Sequence, residues 1–464
     1  MIATFAVLEL GYAIWAAFFA RGPVGPRVGY GPDSAVYIAA AHWPVWSKHF
    51  LAGPGAFGFL LLAKISARNL RAIVIVQTVV AIGAWSLLAT TIVAVLRSNV
   101  ARWIGFVGVF CLALSGAVLS WNAIITTESL SISTLCVAVA FGLAVVVRGS
   151  RRDLIAFVLA LAAFTYTRDT NALVVGALAI LALVLAIRPR LRTRGLVIGA
   201  TGILFALTAS ALSNAAEPPR WYWPIGETVS IRMLSDPGAT RYLVAHGFPL
   251  SDATRQLPAR YIYVVGDVVH GRDYAPLRAW LRTDGRHVYF GFLLSHPAWT
   301  LLKPFDDRQR FFGSNVAVYG VAYHIQPRGP YGVLGWIGAP RSIPFTEVWS
   351  LAVALALGWC WWRGRRRGLV FAVGVTLVLA VAAFYASWHG DVLEADRHAL
   401  TAATQLRLAL WIGTALVIDQ IATRRGGGRS VDVRGEADLD EQKGDAAPGD
   451  EQWRDRDPAP SGAG

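Results

Sequence analysis

The sequence predicts an all-α polytopic membrane protein with about ten transmembrane helices and a large extracytoplasmic loop region. Three observations carry this prediction. The 464 residues are 55% hydrophobic, with a mean hydropathy of +0.48, far too apolar for a soluble chain of this length. Apolar runs close to the 20 residues needed to cross a bilayer recur along the chain. The connectors between them fall into two alternating classes. One class is short and arginine-rich: Arg97 to Arg102, Arg148 to Arg152, Arg188 to Arg194, Arg363 to Arg367 and Arg424 to Arg429. The other carries acids, histidines and aromatics: Asp33 to His49, Trp121 to Glu128, Tyr166 to Asn171, Ala215 to Thr346 and His389 to His398. Cytoplasmic loops collect Lys and Arg, which assigns the first class to the inside and the second to the outside.

The predicted spans are roughly 2–20, 71–96, 103–120, 130–147, 153–166, 171–187, 195–213, 347–362, 368–386 and 401–421. Residues 2–20 read as an uncleaved first span, because no basic stretch precedes them and no small-residue cleavage site precedes Arg21. The outer segment 21–70 follows. In it, Gly31-Pro32-Asp33-Ser34 has the look of a turn leading into a helix cap, and Ala35 to His42 fits a short interfacial helix. Trp43, Trp46 and His49 suit the headgroup zone. Residues 52–66 are apolar but short and broken by Gly and Pro, which leaves a re-entrant or an interfacial course open. The span at 153–166 is also short.

The organisation that follows is an N-terminal transmembrane module over 1–213, an extracytoplasmic insertion over 214–346, C-terminal transmembrane helices over 347–422 and a cytoplasmic tail over 423–464. The insertion is rich in Trp, Tyr, Arg, Gly and Pro, with short helices expected around Asp273 to Arg282 and Gly291 to Trp299. It shows no clear core pattern of its own and is expected to pack over the membrane helices as a lid or acceptor platform. The tail is polar, charged and Pro/Gly-rich, a composition that does not fold by itself. Both termini fall on the cytoplasmic side.

A formal charge of +14 and a pI near 10.1 would suggest nucleic acid in a soluble protein. Here much of the excess lies in the inner loops, so topology explains it and no nucleic-acid partner is expected. Cys111, Cys136 and Cys360 all fall in apolar runs without metal-ligand spacing, and read as small core residues.

Ionisable residues at a membrane edge are costly and are functional candidates for that reason. Asp33 opens the interfacial helix and is placed to take a proton as a general base; its structural alternative is a plain helix cap. Glu128, in Thr127-Glu128-Ser129-Leu130, either complements the dipole of the following span or orients a hydroxyl or an arginine. Arg168 and Asp169 sit in a connector so short that it hugs the membrane. An outward arginine runs against the charge bias, and its forked donors suit a phosphate. His389, Asp391, Glu394, Asp396, Arg397 and His398 form the densest charged cluster at any outer edge, and Arg397 with His398 precedes the last span. Their spacing matches no standard metal-ligand pattern, so no metal site is assigned and a need for a divalent ion stays open. Trp221, Tyr222 and Trp223 either stack on sugar rings or belong to an interfacial aromatic belt.

A first span followed by an outer loop with Asp33, the outer-edge acid of Thr127-Glu128-Ser129-Leu130, the outer Arg168-Asp169 and a late Glu394 with Arg397 together resemble the GT-C class of membrane glycosyltransferases. That class includes protein mannosyltransferases, aminoarabinose transferases and arabinosyltransferases. The resemblance spans roughly residues 1–420, as topology plus short motifs. The lone Asp33, where some subfamilies carry a pair of acids, leaves the subfamily unresolved. The resemblance implies a plasma-membrane enzyme whose active face is extracytoplasmic. It implies a polyprenyl-phosphate-linked sugar as donor, a glycan, lipid or protein hydroxyl as acceptor, and membrane lipid as surroundings. By the same likeness Asp33 is the base of an inverting displacement. Arg168, Arg397 and His398 hold the donor phosphate, and Glu128, Asp169 and Glu394 orient substrate. No cofactor is implied with certainty. A transporter or lipid flippase is the competing reading, though transporters often show internal repeats and the sequence reveals none. A scaffold would leave the one-sided clustering without a cause.

Overall fold

In the computed structural model, the described residues are 2–16, 21–22, 25–26, 32–53, 57–262, 267–313, 330–364, 366–390, 392 and 395–427. The tail beyond residue 427, Glu394, Asp391 and the Gly31 turn expected before Asp33 lie outside them. Two compact units divide the chain at Gln420. The first, Met1–Gln420, holds every feature discussed below; of the second, Ile421–Gly464, only a short helical stretch to Gly427 is described.

The protein is an all-α polytopic membrane protein. Helix α1 (Ile2–Ile14) leads to a two-rung antiparallel ladder that pairs Arg21 with Pro26. Three short helices follow: α2 (Pro32–Ala40), α3 (Lys48–Leu51) and α4 (Phe57–Ile65). A run of apolar helices follows: α5 (Leu70–Val95), α6 (Asn99–Ala113) with α7 (Gly116–Asn122), α8 (Thr127–Val147), α9 (Arg151–Thr165), α10 (Asp169–Leu185) and α11 (Arg192–Ala215). The insertion contains α12 (Tyr222–Thr228), α13 (Pro237–Ala245), α14 (Ala275–Trp280), α15 (Arg286–Ser295), α16 (Pro297–Leu302) and α17 (Pro330–Gly338). The chain closes with α18 (Ile343–Trp362), α19 (Arg367–Gly390) and α20 (Ala395–Gly427).

Among the described residues six helices are long and apolar enough to cross a membrane: α5, α8, α11, α18, α19 and residues Arg397–Arg424 of α20. A seventh arises if α6 and α7 count as one span, but the two meet at 55°. The straight helix expected over 103–120 is therefore a broken one. The break falls where Ser115 leaves helical geometry and turns its hydroxyl back onto the Leu112 carbonyl at 2.6 Å. The other three expected spans are the helices α1, α9 and α10, of 13, 15 and 17 residues, shorter than a perpendicular crossing requires. Residues 57–65 form no span. Helix α4 packs on α2 through Tyr37 and Phe59 (5.4 Å) and buries Phe59, Leu60, Leu62 and Ala63.

Polar side chains set the ends of the helices. Asn69 caps α5 by accepting from Arg71 N and Ala72 N, and Ser98, Ser150 and Ser342 cap α6, α9 and α18 in the same way. Direct contacts gather the arginine-rich connectors at one end. Asp419 accepts from the amides of Arg97 and Ser98 (2.7 and 2.6 Å) and from Arg366 (2.7 Å). Arg194 donates to the Gly149 carbonyl at 2.9 Å. Lipid-facing positions remain apolar, as at Leu207 of α11, which is 64% exposed.

Although the sequence shows no core pattern in the insertion, that region has a hydrophobic core of its own. Tyr222, Ile225, Met233, Leu243, Trp280, Leu281, Tyr289 and Phe292 are buried together. The pattern was obscured because the core is supplied by many short helical turns with no sustained period.

Candidate functional site

At the end opposite the arginine-rich connectors, the starts of α2, α8, α10 and α20 meet. The physics of helix starts explains what is found there. Each α-helix presents unpaired N–H groups and a positive dipole end, which favours acids in its first turn. Asp33 lies in the first turn of α2 and Glu128 in that of α8. Arg168 is the extended residue just before α10, and Arg397 lies near the start of α20.

Glu128 is fully buried. Arg397 donates Nε to Glu128 Oε1 at 2.5 Å and Nη1 to Asp33 Oδ2 at 2.5 Å. Arg168 Nη2 is 3.5 Å from the same Glu128 oxygen. Two guanidiniums therefore share one buried carboxylate, and Arg397 bridges it to a second acid. Burial differs sharply among the four. The Arg168 and Arg397 side chains are 5% and 6% exposed, whereas that of Asp33 is 41% exposed. Of these four charged side chains, Asp33 is the most exposed. The formal charges cancel, as buried ions require.

His398 also joins the cluster. Arg168 Nη2 lies 2.5 Å from His398 Nδ1. A guanidinium only donates, so Nδ1 must accept and the imidazole carries its proton on Nε2. Arg168 also reaches Thr401 Oγ1 at 3.4 Å, and Ser34 fixes α2 by donating to the Ile125 carbonyl at 2.7 Å.

Two of the sequence candidates, Asp169 and His389, stand elsewhere. Asp169 faces away and accepts from Arg220 Nη1 at 2.8 Å, while Arg220 also donates to the carbonyls of Gly53 and Leu51. It ties the base of the insertion to the membrane helices. Glu394 lies outside the described residues, as does the side chain of Asp396. His389 is taken up by Tyr289, which donates to its carbonyl at 2.8 Å, and by the Thr300 carbonyl at 3.1 Å. Among the described residues no group of three or more His, Cys, Asp and Glu side chains is placed to hold a metal ion. Trp221, Tyr222 and Trp223 line a cavity of about 590 Å³ in the insertion together with Arg278 and Arg282.

Sequence reasoning missed Tyr37. It lies four residues after Asp33, hence on the same helix face, and is buried beside the charged cluster. Burial pushes its phenol well above the ordinary range against the opposing pull of Arg397. The signal was available in the i, i+4 spacing. It also missed Glu9, a fully buried acid inside α1 that accepts from Asn122 Nδ2 at 2.9 Å.

No family model matches this chain, and no curated protein matches it. Among solved structures it is similar to an archaeal oligosaccharyltransferase, AglB from Archaeoglobus fulgidus in complex with an inhibitory peptide and a dolichol-phosphate. The identity is 11% and the TM-score 0.45, over 94% of this chain and 52% of that one. The chain thus spans about half the length of that protein.

Proposed function

We propose that this chain is a membrane glycosyltransferase of the GT-C kind. In this reading it transfers a sugar from a polyprenyl-phosphate donor to an acceptor hydroxyl at the outer membrane face. The observation that carries the reading is the cluster itself: two nearly buried arginines converge on Glu128, and one of them also holds the exposed Asp33. Fixed guanidiniums suit a phosphate leaving group, because charge developing on it meets donors that need no reorganisation. Asp33 is the accessible base beside them.

The step runs as an inverting displacement. Asp33 takes the proton of the acceptor hydroxyl while the oxygen attacks the anomeric carbon. The bond from that carbon to the phosphate oxygen breaks, and polyprenyl phosphate leaves with the electron pair. The donor phosphate competes with Asp33 for Arg397, so donor binding frees the carboxylate for the acceptor proton. Glu128 keeps both arginines in place, and His398 stands beside Arg168 at the same phosphate position.

A second reading has one specific observation in its favour. Glu9 is fully buried in α1, and its Oε1 has no hydrogen-bond partner among the described residues. A buried acid inside an apolar helix of a membrane protein is a functional candidate and would suit a proton-coupled transporter.

The deciding experiment is a transfer assay on the purified protein in lipid nanodiscs. It offers a panel of polyprenyl-phosphate sugars with native membrane extract as acceptor. Wild type should transfer, and Asp33→Asn should lose on the order of 10² to 10⁴ in rate, the usual contribution of a general base. Transfer that survives Asp33→Asn removes Asp33 as base. No transfer from any donor, together with Glu9-dependent substrate flux in proteoliposomes, favours the transporter.

A further inference from the structure

A second cavity lies away from the Asp33 cluster and plays no part in the proposed transfer. Its volume is about 500 Å³, within the ~300–1,000 Å³ range of ligand pockets. Its walls are apolar side chains of α8, α9, α10, α11 and α19, among them Phe157, Leu161, Leu178 and Phe371. Three arginines also line it: Arg188, Arg194 and Arg367.

These three mark its position along the bundle. Arg194 donates to the carbonyl of Gly149, just past the end of α8, and a Cβ on Gly368 would lie 2.8 Å from Val146. The charged mouth is therefore at the arginine-rich end, where Arg366 and Asp419 also pair.

The charge balance at this end is uneven. Arg148 is neutralised by Asp153 at 2.6 Å and Arg366 by Asp419 at 2.7 Å. Arg188, Arg194 and Arg367 are exposed, and among the described residues none of them pairs with a carboxylate. Arg194 is held by a carbonyl, and Arg367 by the Trp361 carbonyl (3.4 Å) and ring (6.0 Å to the centroid). Those contacts aim the guanidiniums without cancelling their charge.

An apolar trough that ends in three uncompensated cations constrains its ligand. A free anion would satisfy the arginines and leave the trough unfilled. A neutral lipid would fill the trough and leave the charge. We propose that this cavity binds an anionic phospholipid, with an acyl chain in the trough and the headgroup phosphate on Arg188, Arg194 and Arg367. The loop-charge rule assigns this end to the cytoplasmic leaflet, which is rich in acidic lipids, and basic pockets between helices on that side hold such headgroups. The bound chain braces the α10–α11 hairpin against α8 and α19.

The test uses the full-length protein, delipidated in a neutral detergent and titrated with phosphatidylglycerol, phosphatidylcholine or soluble glycerol phosphate. Bound lipid is read by native mass spectrometry and stability by thermal unfolding. Phosphatidylglycerol should bind and raise Tm, and the other two should do neither. Replacing all three arginines by Gln should weaken phosphatidylglycerol binding on the order of a hundredfold, about fivefold per arginine. Arg188→Gln alone, at an exposed position, should show the single fivefold step and serves should the triple variant not fold. Equal binding of the two phospholipids, or retention of phosphatidylglycerol by the variants, overturns the proposal. So does a glycerol phosphate response equal to that of the lipid. Displacement of phosphatidylglycerol by lower concentrations of a polyprenyl phosphate would give the cavity to a carrier lipid instead, and also overturns it.

Discussion

Arg397 holds two acids at once, and the energetic consequences differ at its two ends. On the Glu128 side the partner carboxylate is fully buried, and on the Asp33 side it is 41% exposed. Removing one partner of a buried pair leaves an uncompensated charge, at a typical cost of about 3–5 kcal/mol, whereas exposed pairs are worth about 0–1 kcal/mol. Arg397→Ala should therefore destabilise the protein mainly through Glu128, by less than the about 3–5 kcal/mol of a lone buried pair, because Arg168 still faces that carboxylate at 3.5 Å. The pair Arg397→Ala with Glu128→Gln should recover much of that loss in a thermal-unfolding cycle in detergent. Purely additive losses would mean that the two side chains are not coupled. The sequence marks Asp33, Glu128, Arg168, Arg397 and His398, because each is an ionisable residue beside an apolar run and charge there is expensive. The sequence could not show which of them touch. Arg168 and Asp169 are neighbours in the chain, yet one turns to Glu128 and the other to Arg220. Consecutive residues at a helix start point in different directions, and only the packed helices decide which direction is inward. Tyr37 carries no charge, so the cost of an ionisable group at a membrane edge does not single it out in the sequence.

Helices were the most legible scale, since hydropathy measures directly what a bilayer demands. What the sequence blurs is how a helix runs. The α6–α7 break lies inside an apolar stretch, where composition does not change and only the Ser115 hydroxyl competes with the ladder. The reason for tolerating the break lies in close packing on either side of it. A Cβ built on Gly108 of α6 would sit 2.3 Å from the Trp411 ring of α20. Trp411 is itself fixed, donating to the Gly338 carbonyl at 3.1 Å and packing edge-on against Trp349 at 5.1 Å. Lipid offers no hydrophobic drive between helices, so small residues that permit this approach contribute directly to association. Gly108→Ala should force α6 and α20 apart and cost about 1–3 kcal/mol, the usual penalty of overpacking. Trp411→Leu in the same chain should return part of it. A Gly108→Ala protein with an unchanged unfolding temperature would mean that Trp411 moves aside freely.

At the scale of the whole molecule, the insertion is a layer with its own core, fastened beside the charged cluster at several points, two of which are single arginines. One fastening is Arg220, which joins Asp169 at the start of α10 to the Leu51 and Gly53 carbonyls at the end of α3 and just after it. The other is Arg232. It donates to the Trp388 carbonyl, lies with its guanidinium carbon 3.8 Å from that indole's centroid and stands 3.5 Å from Asp307. Trp388 is nine residues before Arg397, and Asp169 adjoins Arg168, so each fastening is close in the chain to one arginine of the cluster. Length and aromatic content suggest a lid or acceptor platform over the membrane helices; the fastenings themselves are not legible in the sequence, being single arginines among many. A nearly buried guanidinium stacked on an indole is worth about 2 kcal/mol or more. Arg232→Ala should loosen the layer at this point without unfolding its core, because none of the Tyr222–Phe292 core side chains depends on Arg232 for burial. Hydrogen–deuterium exchange should then rise several-fold in residues 297–313 and at the end of α19, while α5 and α8 keep wild-type protection. Arg232→Lys, which keeps the charge but loses the flat stacking surface, should fall between the two. Uniform loss of protection across the insertion would show instead that its core and its fastening form one cooperative unit.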